Sequence, residues 1–343
     1  MMAWRHFLTC TVKHFRPLLH GFTNIKPARS IYLRQVFLAR SMSSIKTNLD
    51  LSGIYPPIPT SFNENEDIDF EKLKSNLARW NKMPFAGYVV QGSNGEYVYL
   101  SNKERVDMIE FVRKEVPKDK LVIAGSGCEG TRETIQLTNE MAAAGADAVL
   151  VTTPCFYKNR MNVQAMNKHY TQIADASTVP VILYNVPANT GVEFPPESIA
   201  ELAKHPNIIG LKDSGGNITN IGGIIHATAG NDFQILAGSA SFLVPYLSLG
   251  AVGGVCALAN VLGEEVCQLY KLYKDGKQEE ARKLQLKLIK PNGAVTRKYN
   301  VPAMKHAMDL YGFYGGPCRS PMTSLLSNEA AEVEKSFVEF PRK

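Results

Sequence analysis

A lysine closes one of the most apolar runs in the chain. Asn207-Ile208-Ile209-Gly210-Leu211 follows Pro206 and ends on Lys212, with Asp213-Ser214-Gly215-Gly216 beyond it. A short apolar run bounded this way reads as a fully buried parallel strand. Desolvation at its end disfavours an ammonium, so Lys212 could serve as a free amine near neutral pH. Amines tuned this way attack ketones and form Schiff bases. A lone lysine in that place would more simply snorkel into solvent; its company argues otherwise. A second apolar run ends in Tyr184-Asn185-Val186-Pro187, where a phenol could move a proton at a reacting carbon. A third is followed by Gly92-Ser93-Asn94-Gly95-Glu96, whose glycines would let successive N–H groups turn toward one anion. Ser214 stands two residues past the lysine. Gly238-Ser239 ends a further run, and the missing side chain at Gly238 would leave room for a ligand. Each signal is weak alone. Together they make a specific signal, provided the ends of these runs meet.

The elements needed for that meeting are legible. Apolar runs recur at Gly53–Ile58, Gly87–Gln91, Leu121–Ala124, Ala148–Thr152, Val179–Tyr184, Ile208–Lys212, Phe233–Ala237 and Val252–Cys256. Amphipathic segments alternate with them at Phe70–Asn81, Asn102–Glu115, Thr131–Ala144, Val163–Ala176, Pro196–Lys204, Ile218–Ala227, Ser241–Leu249 and Glu264–Lys274. Ser101 with Glu104 makes a capping box, Gly145 closes the third helix, and Pro195-Pro196 opens the fifth. Eight such units predict an α/β fold of the (β/α)₈ barrel type rather than a doubly wound open sheet. In that barrel the active site lies at the carboxyl ends of the strands. From about residue 277 further helices are expected over Lys277–Tyr299, Pro302–Tyr311 and the tail from Ser327, as an extension of one catalytic domain, residues 47–343.

Composition narrows the function classes. The chain of 343 residues is 45% hydrophobic and 20% charged, which is globular. Its first 46 residues hold eight Lys/Arg and no acid, interleaved with Phe7, Leu8, Phe15, Leu18 and Leu19. This is the pattern of a mitochondrial transit peptide, with removal expected near Arg40–Ser44. The whole chain carries +6, of which the leader supplies +8, leaving −2 for residues 47–343. The remainder is therefore not basic, and nucleic acid is not an expected partner. Phe233–Gly263 has no charged residue, but its glycines, Pro245 and Asn260 break it into strand, helix and strand rather than a membrane span. The cysteines show no C-x-x-C and the histidines no H-E-x-x-H, so no metal is expected. Gly125-Ser126-Gly127-Cys128-Glu129-Gly130 matches G-x-G-x-x-G, the one feature of a nicotinamide-dependent oxidoreductase. The next strand, however, ends Val151-Thr152-Thr153-Pro154 without the acid a dinucleotide site needs.

Tyr184–Gly191 (Y-N-V-P-A-N-T-G) and Gly210–Gly216 (G-L-K-D-S-G-G) closely resemble the class I lyase–synthase family that includes dihydrodipicolinate synthase and N-acetylneuraminate lyase. The resemblance runs from about Leu51 to the C-terminal helices. VVQGSNGE, AGSGCE, YNVPANTG and GAVGGVCALANVLG are most similar to its 4-hydroxy-2-oxoglutarate aldolase branch. That resemblance implies Lys212 as the Schiff-base residue and Tyr184 as the proton-transfer residue. It implies substrate contacts from Ser93, Asn94, Ser214 and Gly238, a homotetramer, and no cofactor. The implied reaction is cleavage of 4-hydroxy-2-oxoglutarate to pyruvate and glyoxylate, as in hydroxyproline degradation in the mitochondrial matrix. The family's synthase and sialic-acid lyase activities stand as alternatives. The synthases place an arginine where this chain has Asn189, and two threonines where it has Ser93-Asn94, which weakens the synthase reading. The family also brings a second tyrosine from a neighbouring subunit into the proton relay with the residue at Ser93. Aligned without gaps that position is Phe156, and the tyrosine falls one later, at Tyr157. Either a shifted loop lets Tyr157 serve, which is the expectation, or Ser93 passes protons to water with no second phenol.

Overall fold

The structure is a computed structural model that describes residues 49–341; the leader expected over residues 1–46 lies outside the described residues. Nine strand segments form one parallel sheet: β1 (Gly53–Tyr55), β2 (Pro57–Ile58), β3 (Gly87–Val90), β4 (Leu121–Gly125), β5 (Ala148–Thr152), β6 (Val181–Asn185), β7 (Ile208–Asp213), β8 (Gln234–Ala237) and β9 (Gly253–Val255). Their order, β1-β9-β8-β7-β6-β5-β4-β3-β2, begins and ends on neighbouring pieces of one chain segment. The expected first strand, Gly53–Ile58, is interrupted at Pro56, which has no N–H to give to a ladder. Its two halves bond in opposite directions. Cys256 N–H donates to the Tyr55 carbonyl on one side, while Ala86 and Val89 N–H groups donate to Ile54 and Pro56 on the other. The sheet therefore closes, and the eight-unit barrel is the observed fold.

Helices alternate with the strands as the apolar periodicity requires: α1 (Phe70–Trp80), α2 (Asn102–Glu115), α3 (Thr131–Ala143), α4 (Val163–Ala176), α5 (Pro196–Leu202), α6 (Ile218–Ala227), α7 (Leu243–Leu249) and α8 (Gly263–Lys274). The capping box of Ser101 and Glu104 is formed in full at the start of α2. Beyond the barrel lie α9 (Gln278–Gly293), α10 (Asn300–Leu310) and α11 (Ser327–Ser336). The segment expected as one helix over 277–299 changes at its end to a π-helix, Ala294–Lys298, three residues after Pro291. The proline removes one backbone donor and crowds the preceding turn, so the α register is not continued. The described residues, 49–341, form one compact unit.

Two cores follow from strand alternation. Inside the barrel pack Tyr55, Val89, Ile123, Leu150, Ile182, Tyr184, Leu236 and Val255. Between strands and helices lie their sequence neighbours, among them Val90, Ala124, Val149, Val151, Leu183 and Leu211. The alternation decides which strand-end residues face the barrel mouth. No helix among the described residues is long and apolar enough to cross a membrane, and none of them form a group of three or more His, Cys, Asp or Glu that could hold a metal ion.

Candidate active site

Register brings the chemistry-bearing residues into one row. Thr152 of β5 pairs with Tyr184 of β6, and Tyr184 pairs with Lys212 of β7. Pairing at equal pleat phase puts the three on one face of the sheet, side by side. That face is the inner one, since Leu150 and Ile182, two residues earlier, fill the barrel interior. Lys212 is 3% exposed and its Nζ lies 3.8 Å from the centre of the Tyr184 ring. The Tyr184 phenol and the Ser93 hydroxyl share a hydrogen bond of 3.2 Å. Burial alone would raise the phenol's pKa; the charge of Lys212 and hydrogen bonds with Ser93, Lys212 and Ser214 outweigh it and hold the pKa below its ordinary value. A phenol that ionises readily beside an amine is equipped to exchange protons with it.

Ser93–Gly95 form a single 3₁₀ turn after β3. Gly95 N–H donates to Gly92 and Glu96 N–H to Ser93, at 2.8 and 3.3 Å. These two donors are spent on the turn, so the loop offers a ligand the N–H groups of Ser93 and Asn94 rather than a longer series. The Thr60 hydroxyl donates to the Gly95 carbonyl at 2.6 Å, and Glu96 takes a left-handed conformation, φ 56°, that turns its side chain inward. There its carboxylate meets Lys305 of α10 at 2.6 Å, with the two side chains 0% and 2% exposed. Arg319 N–H donates to the same carboxylate at 2.9 Å. The C-terminal helices thus hold the Ser93–Asn94 turn in place.

The residue after the lysine points the other way. Asp213 accepts a hydrogen bond from Asn185 at 2.7 Å and another from the Tyr246 phenol at 2.5 Å. Asn185 also donates to Glu193 and accepts from Phe194 N–H. This clamp joins the ends of β6 and β7 to α7 and fixes Lys212 through its neighbour. Sequence reasoning missed it, although the polar Asn185 and Asp213 at the ends of buried strands were a visible signal.

Gly238 corrects an expectation. A Cβ there would stand 2.1 Å from the Ser214 hydroxyl and 2.6 Å from the Asp213 carbonyl. The space its missing side chain leaves is filled by Ser214 and not by room for a ligand, so its role is to let β8 close on the lysine loop. Gly238 N–H donates to Asp213 at 2.7 Å, and the Ser214 hydroxyl lies 3.5 Å from the Gly238 carbonyl.

The Gly125–Gly130 loop is accounted for by packing. A Cβ on Gly125 would meet the Gln91 carbonyl at 2.0 Å, and one on Gly127 the Thr152 nitrogen at 2.8 Å. Glu129 lays its carboxylate against the N–H groups of Cys155 and Phe156, at 3.0 and 2.9 Å, supplying from within the chain the anion such groups attract. This contact anchors the loop bearing Phe156 and Tyr157. The two rings meet edge to face at 5.0 Å and are 76% and 71% exposed. The structure brings Ser93, Tyr184, Lys212 and Ser214 together, and leaves Phe156 and Tyr157 at the surface of the single chain. Asn189 lies exposed in the turn Pro187–Thr190. A cavity of about 640 Å³, lined by Asp50, His205 and Asn231, opens at the other end of the strands, away from this chemistry.

Comparison with known proteins agrees with this geometry. The profile of the Dihydrodipicolinate synthetase family matches residues 50–339. A probable mitochondrial 4-hydroxy-2-oxoglutarate aldolase of Emericella nidulans is 37% identical over 292 residues, covering 84% of this chain and 94% of the relative. A 4-hydroxy-tetrahydrodipicolinate synthase of Methanothrix thermoacetophila is 34% identical over 283 residues, covering 82% and 94%. Among solved structures, a dihydrodipicolinate synthase of Bacillus anthracis superposes with a TM-score of 0.82 at 28% identity, covering 86% of this chain and 100% of that one. That of Acinetobacter baumannii, solved with pyruvate, gives 0.80 at 27% identity, covering 84% and 98%. A barrel with an inward lysine–tyrosine pair, matched over nearly all its described length, belongs to the dihydrodipicolinate synthetase family.

Proposed function

We propose that the chain is a Schiff-base aldolase that cleaves 4-hydroxy-2-oxoglutarate into pyruvate and glyoxylate. The observation that carries the reading is the buried pairing of Lys212 with Tyr184, 3.8 Å from nitrogen to ring centre. The Lys212 amine attacks the C2 ketone and water leaves, giving a protonated imine. That imine accepts the electron pair of the C3–C4 bond, so no free carbanion forms. Tyr184, as phenolate, takes the proton of the C4 hydroxyl while the bond breaks and glyoxylate departs. The enamine left on Lys212 is protonated at C3, and water hydrolyses the imine to pyruvate and free lysine. The N–H groups of Ser93 and Asn94 hold the C1 carboxylate, and Ser214 supports the Tyr184 phenol.

The choice of substrate is supported by the name of the Emericella nidulans relative and by the uncharged Asn189 at the mouth. The synthase reading is favoured by the names of most other relatives, which are 4-hydroxy-tetrahydrodipicolinate synthases. A panel of 2-oxo acids, scored by pyruvate release, separates the two: rapid cleavage of 4-hydroxy-2-oxoglutarate supports the aldolase, whereas condensation of pyruvate with aspartate semialdehyde and no cleavage rejects it. Asn189→Arg would add a cation able to grip a carboxylate in bidentate fashion. It is expected to change the ranking of the panel without stopping imine formation with pyruvate. The same reading assigns the protein to mitochondria, from its basic leader and the relative's name, and to a homotetramer in which the exposed Phe156–Tyr157 tip is covered.

A further inference from the structure

The proposed substrate carries two carboxylates. The Ser93–Asn94 turn takes the one at C1; the one at C5, on the glyoxylate half, still needs a partner. A carboxylate that loses water on binding without gaining donors is bound at a cost. A guanidinium answers it best, since its two parallel N–H groups match the two oxygens. Two cations stand beside the strand ends that form the mouth. Lys158 lies next to the loop after β6: a Cβ on Gly191 would be 3.7 Å from its Nζ. Arg297 lies next to the loop after β7: a Cβ on Gly216 would be 3.7 Å from its Nη2. Gly216 closes the run G-L-K-D-S-G-G, four residues past Lys212, and takes a left-handed φ of 75°. Four residues span at most about 14 Å. A lysine side chain, a five-carbon acid bonded to it at C2 and an arginine side chain bridge that span together.

Arg297 is delivered there by the π-helix Ala294–Lys298. A π turn holds more residues than an α turn and so re-aims the side chains it carries, and such turns recur at functional sites. Just before it, Asn292 in the last turn of α9 is 1% exposed and donates to the Ser239 hydroxyl at 2.9 Å. Ser239 follows Gly238, whose N–H donates to the Asp213 carbonyl. The Thr296 hydroxyl donates to the Asn292 carbonyl at 2.6 Å. The π-helix is thus pinned to the end of β8, beside the lysine loop. Its last two residues then part. Lys298 pairs with Glu332 of α11, whereas Arg297 is exposed and forms no hydrogen bond or ion pair with a described residue. Lys158, by contrast, sits on the exposed loop of Phe156 and Tyr157 and offers only a point charge. We propose that Arg297 is the specificity-determining residue for the second carboxylate: its guanidinium pairs with the C5 carboxylate and so turns the C4 hydroxyl toward Tyr184. No bond is made or broken at Arg297; it binds and orients.

The inference deepens the aldolase reading and rests on it. The test compares kcat/KM for 4-hydroxy-2-oxoglutarate with that for 4-hydroxy-2-oxopentanoate, in which a methyl replaces the C5 carboxylate. It is run on the full enzyme and on Arg297→Met, Arg297→Lys and Lys158→Met, with borohydride trapping of pyruvate in parallel. Arg297→Met is expected to lower kcat/KM for the dicarboxylate about tenfold to a hundredfold, on the scale of a hydrogen bond to a charged group. The methyl analogue is expected to stay within about threefold and pyruvate trapping to stay intact, because neither uses a C5 carboxylate. Arg297→Lys should keep part of the preference, and Lys158→Met should keep all of it. The inference alone is overturned if the unaltered enzyme shows no preference for the dicarboxylate, if Arg297→Met keeps that preference, or if it slows both acids equally. Loss of the preference in Lys158→Met with Arg297→Met silent overturns it as well. An unaltered enzyme that releases pyruvate from neither acid overturns the aldolase reading and the inference with it.

Discussion

The proposed mechanism gives Tyr184 a part that one substitution can separate from that of Lys212. On that mechanism the Tyr184 hydroxyl serves the cleavage step, whereas imine formation depends on the Lys212 amine. Tyr184→Phe is therefore expected to keep reductive trapping of pyruvate and to lose about 10²-fold or more in cleavage rate, a typical loss for a general base. Equal loss of both would mean that the phenol serves to position the lysine. At Gly238, alanine would drive a methyl into Ser214 and the Asp213 carbonyl. Gly238→Ala is expected to abolish trapping, because the lysine loop must move, and a folded variant with unchanged trapping would refute that role. These residues were legible in different degrees. Lys212 and Tyr184 announce themselves because a titratable group ending a buried strand costs free energy and so needs a reason. Gly238 was readable as a special position but not as to which neighbour fills its space, since that neighbour lies 24 residues away.

At the scale of elements, the barrel mouth is held from behind by the pair Glu96–Lys305. Breaking a fully buried ion pair from one side leaves a bare charge, at a cost of about 3–5 kcal/mol. Lys305→Met is expected to lower unfolding free energy by that amount in urea titration and to raise KM through the loosened Ser93–Asn94 turn. Adding Glu96→Gln should recover most of the stability; a double variant no more stable than Lys305→Met would contradict the ion-pair account. A second element carries a pH signature. His169 of α4 is buried, with Nδ1 2.9 Å from the Thr131 hydroxyl of α3, and burial lowers its pKa to about 4. The unfolded chain, at about 6.5, then binds the extra proton first. Stability is thus fully present above about pH 6.5 and is lost as pH falls toward 4, by up to about 3 kcal/mol. His169→Gln should remove this part of the acid sensitivity, read as the difference between the two melting curves from pH 7 to 4.5. Strand and helix bounds were readable to within a few residues because periodicity and caps are local. Glu96–Lys305 was not, since nothing local tells which lysine of an amphipathic helix turns inward, and the π-helical Ala294–Lys298 was not read from the helical pattern over 277–299.

For the whole molecule, closure of the sheet across Pro56 turns eight separate strand ends into one mouth, and register does the rest. The count of eight units in the sequence was enough to expect this, because a closed parallel barrel is how eight alternating units bury both strand faces. It was not enough to find the row Thr152–Tyr184–Lys212, since register between strands some thirty residues apart is set by packing across the whole barrel. The central claim, covalent catalysis at Lys212, is tested most directly by borohydride reduction in the presence of pyruvate, with the adduct mapped by mass spectrometry of peptides. One reduced pyruvate on Lys212, and none on Lys212→Arg of native circular dichroism, is the predicted result. An unmodified Lys212 after reduction, or steady-state cleavage by the clean Lys212→Arg enzyme, would contradict it.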